Sequence, residues 1–310
     1  MIETEESQTH GLASGSDETN GICTVNIEVT GMRGVSSQFS PIIIRASTGW
    51  VSLRLADLWD YRGLLYFLAW RDLKIRYKQT ILGVTWVVLQ PSFLTLAFSI
   101  FFGKLGGIPS DGIPYPAFVL CGLLPWQLFA NTLIYSSNSL VANERLIIKV
   151  YFPRLVIPLS AAVVALVDFF VTLVVLFAIM TYYGIVPIFA VWTLPGFVLL
   201  AVAIAFGAGL WFSALNLEYR DVRYTIPFII QFWFFISPVV YPSSLVSETW
   251  RLIYSLNPMA GVIEGFRWAL LGKNPVSGSS LAISILAALV LLIGGVYYFR
   301  RMERTFADVV

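Results

Sequence analysis

The feature that most constrains this chain is a disagreement between its apolar segments and its charges. Seven stretches are apolar and long enough to consider as membrane spans, which need about 20 such residues. They lie near 81–102, 113–141, 155–183, 189–215, 226–240, 252–271 and 280–299. Basic clusters stand before the first stretch and after the last, and both favour the cytoplasmic side. Seven crossings would separate these clusters, so the sequence predicts six spans and one apolar stretch that enters and leaves by the same face.

The stretch that fits a crossing least well is 252–271. It contains Glu264 and Arg267, and a charge at the bilayer centre costs about 2.5–3.5 kcal/mol on insertion scales. Their i, i+3 spacing allows an ion pair, which would pin a gate or be an ordinary interfacial pair. We predict a re-entrant helical hairpin over 241–274 on the outer side, broken at Asn257-Pro258. The candidate gate residues are Tyr241, Asn257, Pro258, Glu264 and Arg267.

Composition supports a membrane protein, and the placement of charge gives it an orientation. The chain is 57% hydrophobic and 12% charged, whereas roughly a quarter of the residues in a soluble domain are charged. Basic residues concentrate on one side of the spans, which is expected to be cytoplasmic. We therefore expect both termini in the cytoplasm. With His10 as its only histidine, the chain has no histidine-based metal site, and its charge distribution does not indicate nucleic-acid binding.

Three regions follow one another along the chain. Residues 1–50 begin rich in Ser, Thr, Gly and Glu and predict a partly disordered cytoplasmic extension. Residues 51–80 predict an amphipathic helix in the membrane interface, because aromatic and basic side chains are mixed there. Residues 81–310 hold the six spans. The apolar positions of the interface helix that follow helical spacing are Leu58, Tyr61, Leu65, Leu68 and Ile75.

Prolines shape two of the spans. The first span, 81–102, contains Gln90-Pro91, which predicts an interruption. The fifth, 226–240, is bounded by Pro227 and Pro238. Its length covers only about 22 Å of a hydrocarbon core of about 30 Å, so it is short for a complete crossing.

Polar side chains occur inside two other spans. Gln127 and Asn131 lie in the second, and groups of this kind face protein or a water-filled cavity. Asp168 lies in the third. It is either a coupling or proton site, or a structural partner of a neighbouring polar group.

The cytoplasmic loop 143–158 carries four charged residues, Glu144, Arg145, Lys149 and Arg154. Its charged start predicts two helical turns over 143–151, with Asn143 as N-cap and Pro153 ending the helix. No GxxxxGK[ST] phosphate loop occurs anywhere in the sequence. If ATP drives this protein, another chain binds it.

Several ordered motifs resemble one family. They are FLAWRDLKIRYKQTILGVTWVVLQPSF (67–93), PYPAFVLCGLLPWQLFANTL (114–133), NERLIIKVYFPRLVIPLS (143–160), SPVVYP (237–242) and LNPMAGVIEGFRWALLG (256–272). Together they are similar to the membrane subunits of ATP-binding-cassette (ABC) exporters for polysaccharides, which carry O-antigen, capsule or teichoic acid glycans. The resemblance covers roughly residues 55–300.

This resemblance implies an architecture and a set of partners. It implies an all-α membrane protein with six spans, an interface helix and an outer gate hairpin, located in the bacterial inner membrane. It implies a homodimer bound to two copies of a separate ATPase, which would hold ATP and Mg²⁺; the chain itself would carry no cofactor and no catalytic residue. The cargo would be a long glycan on a polyprenyl diphosphate lipid.

Three sets of residues become candidates for this function, each beside a simpler role. The loop residues that would contact the ATPase, or only orient the loop, are Asn143, Glu144, Arg145, Lys149 and Arg154. The aromatic residues that would line a glycan path, or only face lipid and core, are Phe93, Phe98, Phe101, Phe228, Phe232, Trp233 and Phe235. The basic residues that would attract the lipid diphosphate, or only set topology, are Arg71, Lys74, Arg76 and Lys78.

Two other functions remain open at this point. A related exporter of drugs or simple lipids would share the spans and the coupling loop but need no path for a polymer. A membrane-embedded enzyme that modifies glycans or lipids would need clustered acids or a metal site. The only such concentration, Asp57, Asp60 and Asp72, is interspersed with bases on one helix.

Overall fold

The structure is a computed structural model. It describes residues 59–78, 83–150, 152–187, 189–219, 221–247, 254, 256–272, 277–303 and 306. The expectations for the extension 1–50 and for Leu58 and Asp57 lie outside the described residues. Within the described ranges the chain is helical throughout, and the predicted all-α membrane fold is confirmed.

Nine α-helices follow one another in the described ranges. They are α1 (Arg62–Lys78), α2 (Thr85–Phe98), α3 (Tyr115–Ala142), α4 (Glu144–Lys149), α5 (Val156–Tyr182), α6 (Leu194–Glu218), α7 (Val222–Ile236), α8 (Pro258–Leu271) and α9 (Gly278–Met302). A π-helical stretch, Ser99–Leu105, extends α2, and short 3-10 helices precede α6 (Phe189–Thr193) and follow α7 (Ser243–Leu245).

Among the residues that the structure describes, five helical segments are long and apolar enough to cross a membrane, and α7 is apolar but shorter. The five are Thr85–Leu105, Tyr115–Ala142, Val156–Tyr182, Phe189–Glu218 and Gly278–Met302. As expected, α7 is short, but it begins at Val222 rather than near Ile226. Pro227 therefore lies inside the helix instead of starting it, whereas Pro238 does follow its end.

The predicted interruption of the first span at Gln90-Pro91 is wrong. Helix α2 continues through Pro91, which is buried in the bundle. A proline removes one hydrogen-bond donor but does not always break a packed helix, because neighbouring helices and local adjustments satisfy the freed groups. The irregularity instead comes later, in the π-helical stretch that follows Phe98.

Helix α3 lies at the centre of the bundle. It packs against α5, α6 and α8, and more lightly against α2 and α7. In its most apolar window 83% of the residues are buried, against 11% for the span that contains α2. Helices α2 and α7 therefore leave large faces without a protein partner in one copy of this chain.

Small residues let α6 and α9 approach closely. A Cβ atom added at Gly207 would lie 2.5 Å from the backbone carbon of Leu291, and one added at Gly295 would meet the carbonyl of Gly207. Close backbone approach at small residues is the usual way in which helices associate inside a membrane. This packing fixes the last span against the fourth.

Within the described ranges, the buried apolar side chains form two clusters. The larger fills the middle of the bundle around α3 and runs along the length of α8. The smaller, which we call the inner cluster, lies where α3 ends: it contains Leu68 of α1, Leu140 of α3, Ile147 of α4 and Phe299 of α9. The short helix α4 is thus anchored by the buried Ile147 and the half-buried Leu146 to the ends of several longer helices.

Candidate functional site

The two regions singled out by the sequence lie at opposite ends of α3. Helix α4 follows the C-terminal end of α3 directly. At the other end, the Tyr115 hydroxyl donates to the carbonyl of Val240, 2.9 Å away, next to the predicted hairpin 241–274. Residues 248–253, 255, 273 and 274 of that prediction lie outside the described residues. Because α3 has 28 residues and each adds about 1.5 Å, about 40 Å separate these ends.

Helix α4 presents its charges outward. It spans Glu144–Lys149 and buries only Ile147. Glu144, Arg145 and Lys149 are exposed, and within the described residues their side chains make no ion pair. Val150, which follows the helix, is 53% exposed. Charged groups that bond nothing in the described part of their own chain are available to a partner.

Two of the five expected coupling residues are held inside the chain instead. Asn143 does not cap α4 with its side chain: its amide nitrogen donates to Ser139 O at 2.9 Å, and its oxygen accepts from Arg71 at 2.7 Å. Arg154 donates from Nη1 to the carbonyl of Glu303 at 2.5 Å, and its backbone N–H donates to the Glu303 carboxylate at 3.1 Å. Both residues therefore tie the loop to α1 and to the end of α9.

The basic residues of α1 divide in the same way. Lys74 and Lys78 are exposed. Arg71 pairs with Asp72 at 2.7 Å as well as with Asn143, and Arg76 pairs with Asp168 at 3.2 Å. Only the two lysines therefore remain as free basic groups for a lipid diphosphate among the four that were predicted.

Helix α1 has two apolar sides rather than one. The inner side carries Leu68, which is buried, while Tyr61 and Ile75 of the predicted face are exposed. The outer side carries exposed aromatic side chains, including Tyr66, whose ring stacks 6.4 Å from that of Trp70. The face predicted from helical spacing is therefore only partly buried, and the aromatic residues form a second, exposed side. An aromatic exposed side suits the membrane interface.

Asp168 lies at the centre of a polar cluster that joins α1, α3 and α5. Its carboxylate accepts hydrogen bonds from the hydroxyls of Tyr77 and, at 3.4 Å, Tyr135, and it pairs with Arg76. The Arg76 guanidinium also lies over the Tyr135 ring, 4.5 Å from its centroid. Burial, together with the bond to Asp168, raises the pKa of the Tyr77 hydroxyl, so it remains a donor. This arrangement matches the structural alternative for Asp168.

At the hairpin, the helix begins where the sequence predicted a break. Asn257 caps α8, with its side-chain oxygen 3.0 Å from the N–H of Met259. The same oxygen accepts from the indole of Trp233 at 2.9 Å, and the amide donates to Ser237 at 2.9 Å. The carbonyl of Pro258 accepts from the Ser284 hydroxyl at 2.6 Å. Asn257 thus joins the end of α7 to the start of α8.

Arg267 holds the other side of the hairpin. Its Nη2 donates to the carbonyl of Val239 at 2.7 Å, its Nη1 reaches the carbonyl of Tyr241 at 3.4 Å, and its guanidinium lies 3.7 Å from the centre of the Phe118 ring. Among the described residues, the hydrogen bonds of this buried cation go to backbone carbonyls. The hydrogen-bonded ion pair with Glu264 that the i, i+3 spacing allowed is not formed there, although the Glu264 charge still acts on the guanidinium. The cation fixes the turn between α7 and α8 against α3.

The aromatic residues predicted to line a glycan path do not form one group. Phe98 stacks on Phe234 of α7, 5.8 Å between ring centroids, and Trp233 packs edge-on to Phe129 at 5.2 Å. The other five are each more than half exposed and lie on α2, its π-helical extension and α7: Phe93, Phe101, Phe228, Phe232 and Phe235. We call these five the aromatic face.

Some contacts at the site were not predicted from the sequence. The roles of Tyr77 and Tyr135 at Asp168 depend on three helices meeting, and no spacing within one helix signals that. The tie between Arg71 and Asn143 joins residues 72 positions apart. Within the described ranges, no group of three acidic, cysteine or histidine side chains is placed to hold a metal ion.

Comparison with known proteins gives a consistent result. The model of the ABC-2 type transporter family matches residues 63–271. The chain is 31% identical to the O-antigen export system permease protein RfbA of Klebsiella pneumoniae over 248 residues, which are 80% of this chain and 95% of that protein. It is 29% identical to the protein of the same name from Myxococcus xanthus, over 81% and 97% of the two chains.

A more distant relative has a different named cargo. Over 75% of this chain and 91% of the relative, the sequence is 24% identical to the polysialic acid transport protein KpsM of Escherichia coli. The family match covers α2 to α8 and nearly all of α1, but not α9. The chain therefore belongs to the ABC-2 type transporter family.

Proposed function

We propose that this chain is the transmembrane subunit of an ABC exporter that moves a polyprenyl-diphosphate-linked, O-antigen-like polysaccharide across the bacterial inner membrane. The observation that carries this proposal is the nearly full-length similarity to permeases named for O-antigen export. The separation of an exposed, charged helix from a buried hairpin along α3 supports it, because such a transporter needs an ATPase contact at one end and a gate at the other.

The driving ATPase is a separate subunit. The chain has no phosphate loop of its own, so ATP and Mg²⁺ bind in the partner. In this proposal Glu144, Arg145 and Lys149 contact the ATPase, and α4 transmits its motion. Ile147 sits in the inner cluster with residues of α1, α3 and α9. A displacement of α4 therefore acts on the ends of several spans at once.

The assembly is a homodimer with two ATPase subunits, and both termini of each copy are cytoplasmic. Helices α2 and α7 carry the aromatic face and are the least covered in one copy. A second copy placed against them would enclose a passage lined by aromatic rings. Sugars pack on such rings without fixed hydrogen bonds, which suits a polymer that must slide.

A capsule-type glycan is the second candidate cargo, and the similarity to a polysialic acid transport protein favours it. The exposed lysines of α1 would attract an anionic head group in either case.

Deleting the gene in a strain that makes a lipid-linked polysaccharide tests this function. We expect the surface glycan to disappear and lipid-linked polymer to accumulate at the inner face, with both effects reversed by the intact chain and its ATPase. Surface glycan that persists after deletion, in a strain with no second exporter, would contradict the proposal. The chemical analysis of the accumulated polymer identifies the cargo.

A further inference from the structure

A cavity of about 490 Å³ opens between α2, α3 and α5 and does not include the aromatic face. Its wall carries Trp86 and Gln90 from α2, Gln127 and Asn131 from α3, and Phe169 from α5. Arg76 and Tyr77 of α1 close one end beside Asp168. This volume lies within the roughly 300–1,000 Å³ of small-molecule sites.

Three side-chain amides face this cavity without a protein partner. Among the described residues, none hydrogen-bonds the side chain of Gln90, Gln127 or Asn131, although many other polar groups of the spans are bonded. Polar groups at membrane depth face protein or water rather than lipid tails. An acyl chain in the cavity would leave all three amides unsatisfied, so its occupant must carry hydrogen-bonding groups.

The charges on the wall select against an ionic occupant. Asp168 would repel an anion, and Arg76 would repel a cation. The two are already paired at 3.2 Å, and two tyrosine hydroxyls bond the same carboxylate. The wall is therefore close to neutral: its greater part is apolar, and its polar part consists of the amides and the Asp168 cluster. Such a wall suits an uncharged ligand with both apolar and hydrogen-bonding surfaces.

The remaining groups fit a sugar ring. An amide both donates and accepts, as does a hydroxyl, so the three amides that line the cavity match a ligand with several hydroxyls. The Trp86 ring lines the cavity and is 55% exposed, so it can pack against the C–H face of a pyranose.

We infer that this cavity binds an uncharged sugar unit within a single subunit, apart from the aromatic face between copies. The inference rests on the proposed function, because it makes the cavity a holding site for one unit of the transported glycan. The cavity lies where α3 and α5 approach α1, so a bound sugar would be next to the Asp168 cluster. Whether the cavity is occupied would therefore affect the contact between α1 and α5.

A photoreactive alkyl maltoside tests the inference on the full chain in its complex with the ATPase, in lipid nanodiscs. After irradiation, peptide mapping shows which residues carry the probe. We expect labelling at 86–91 and 124–131, and at least a five-fold reduction by excess decyl maltoside but not by decyl phosphocholine of equal chain length. If decyl phosphocholine competes as well as decyl maltoside, the inference is overturned, because the site would then bind only the alkyl chain.

Two variants and one matched control separate a specific site from a folding defect. Gln127→Leu and, independently, Trp86→Ala should each reduce labelling at least five-fold while the complex elutes unchanged. Gln231→Leu removes the same group from α7, outside the cavity, and should leave labelling unchanged. Labelling that is unaffected in both cavity variants would overturn the inference.

A second competitor and an export assay resolve the remaining questions. Competition by soluble maltotetraose would assign the site to the glycan chain, whereas competition by the alkyl maltoside alone would assign it to the sugar of a membrane-anchored glycolipid. Unlabelled chain that still exports glycan would overturn the inference and leave the proposed function intact. A chain that is labelled but exports no glycan would overturn the proposed function, while the sugar site itself would stand.

Discussion

The coupling end and the hairpin end of α3 use charge in opposite ways. At the coupling end, Arg145 and Lys149 are exposed and bond nothing in the described chain. At the hairpin end, Arg267 is buried and bonded to two carbonyls. Removing a buried, bonded group leaves its partners unsatisfied, whereas removing an exposed charge costs little. The comparison teaches that charge at the hairpin maintains the fold and charge on α4 is available to a partner.

The largest loss of stability should come from Arg267→Leu. The change leaves the carbonyls of Val239 and Tyr241 without their donor and removes the cation from Phe118. We expect the free energy of unfolding to fall by about 3 kcal/mol, at about 1–3 kcal/mol for each unsatisfied group. Arg267→Lys should lose less, because it keeps the charge. A melting curve in detergent micelles measures both, and an unchanged Tm would show that the hairpin is not held by this cation.

Asn257→Leu should have the next largest effect. It removes a helix cap, worth about 0.5–2 kcal/mol, and leaves the Trp233 indole without its acceptor. We expect a loss of about 2 kcal/mol by the same measurement. Asn257→Asp keeps the helix cap and the acceptor for the Trp233 indole, so it should lose only about half as much stability. If the aspartate variant is as unstable as the leucine variant, the side-chain oxygen is not the group that matters.

Asp168→Asn tests a bonded charge that lies between the two ends of α3, and we expect a smaller loss of stability there. The asparagine can still accept hydrogen bonds, but it loses the charge that pairs with Arg76. Because Arg76 is partly exposed, we expect the free energy of unfolding to fall by only about 1 kcal/mol. The change should act locally, since it weakens the contact between α1 and α5. Amide hydrogen exchange should accelerate in 64–78 and remain unchanged in 258–271. Uniform acceleration across both segments would contradict the local tie.

Replacing both Arg145 and Lys149 by alanine should have the smallest effect on folding. Exposed side chains away from special features change stability by about 0.5 kcal/mol or less. We therefore expect an unchanged melting curve for the isolated chain. A loss above about 1 kcal/mol would show that α4 is an internal structural element, and the contrast between the two ends would fail.

Some features confined to one helix were predictable from this sequence, although the interruption at Pro91 was not one of them. Features that depend on several helices were not predictable. The start of α8 at Asn257-Pro258 follows from local capping chemistry. The buried position of Leu68 follows from helical spacing, yet Ile75 on the same predicted face is exposed. Whether Arg71 or Lys74 faces inward depends on where Asn143 lies, and only packing decides that.

The central claim is that α4 couples this chain to a separate ATPase, and co-purification tests it directly. The chain should be expressed with the ATPase encoded nearest to it, and the complex isolated through a tag on the ATPase. The test variant is Arg145→Glu with Lys149→Glu. The matched control is Lys74→Glu with Lys78→Glu, which reverses two exposed charges on α1. We predict a stable complex with two copies of each subunit for the intact chain and the control, and none for the test variant. A complex that survives the reversal on α4, or an inserted chain that never binds an ATPase, would contradict the account.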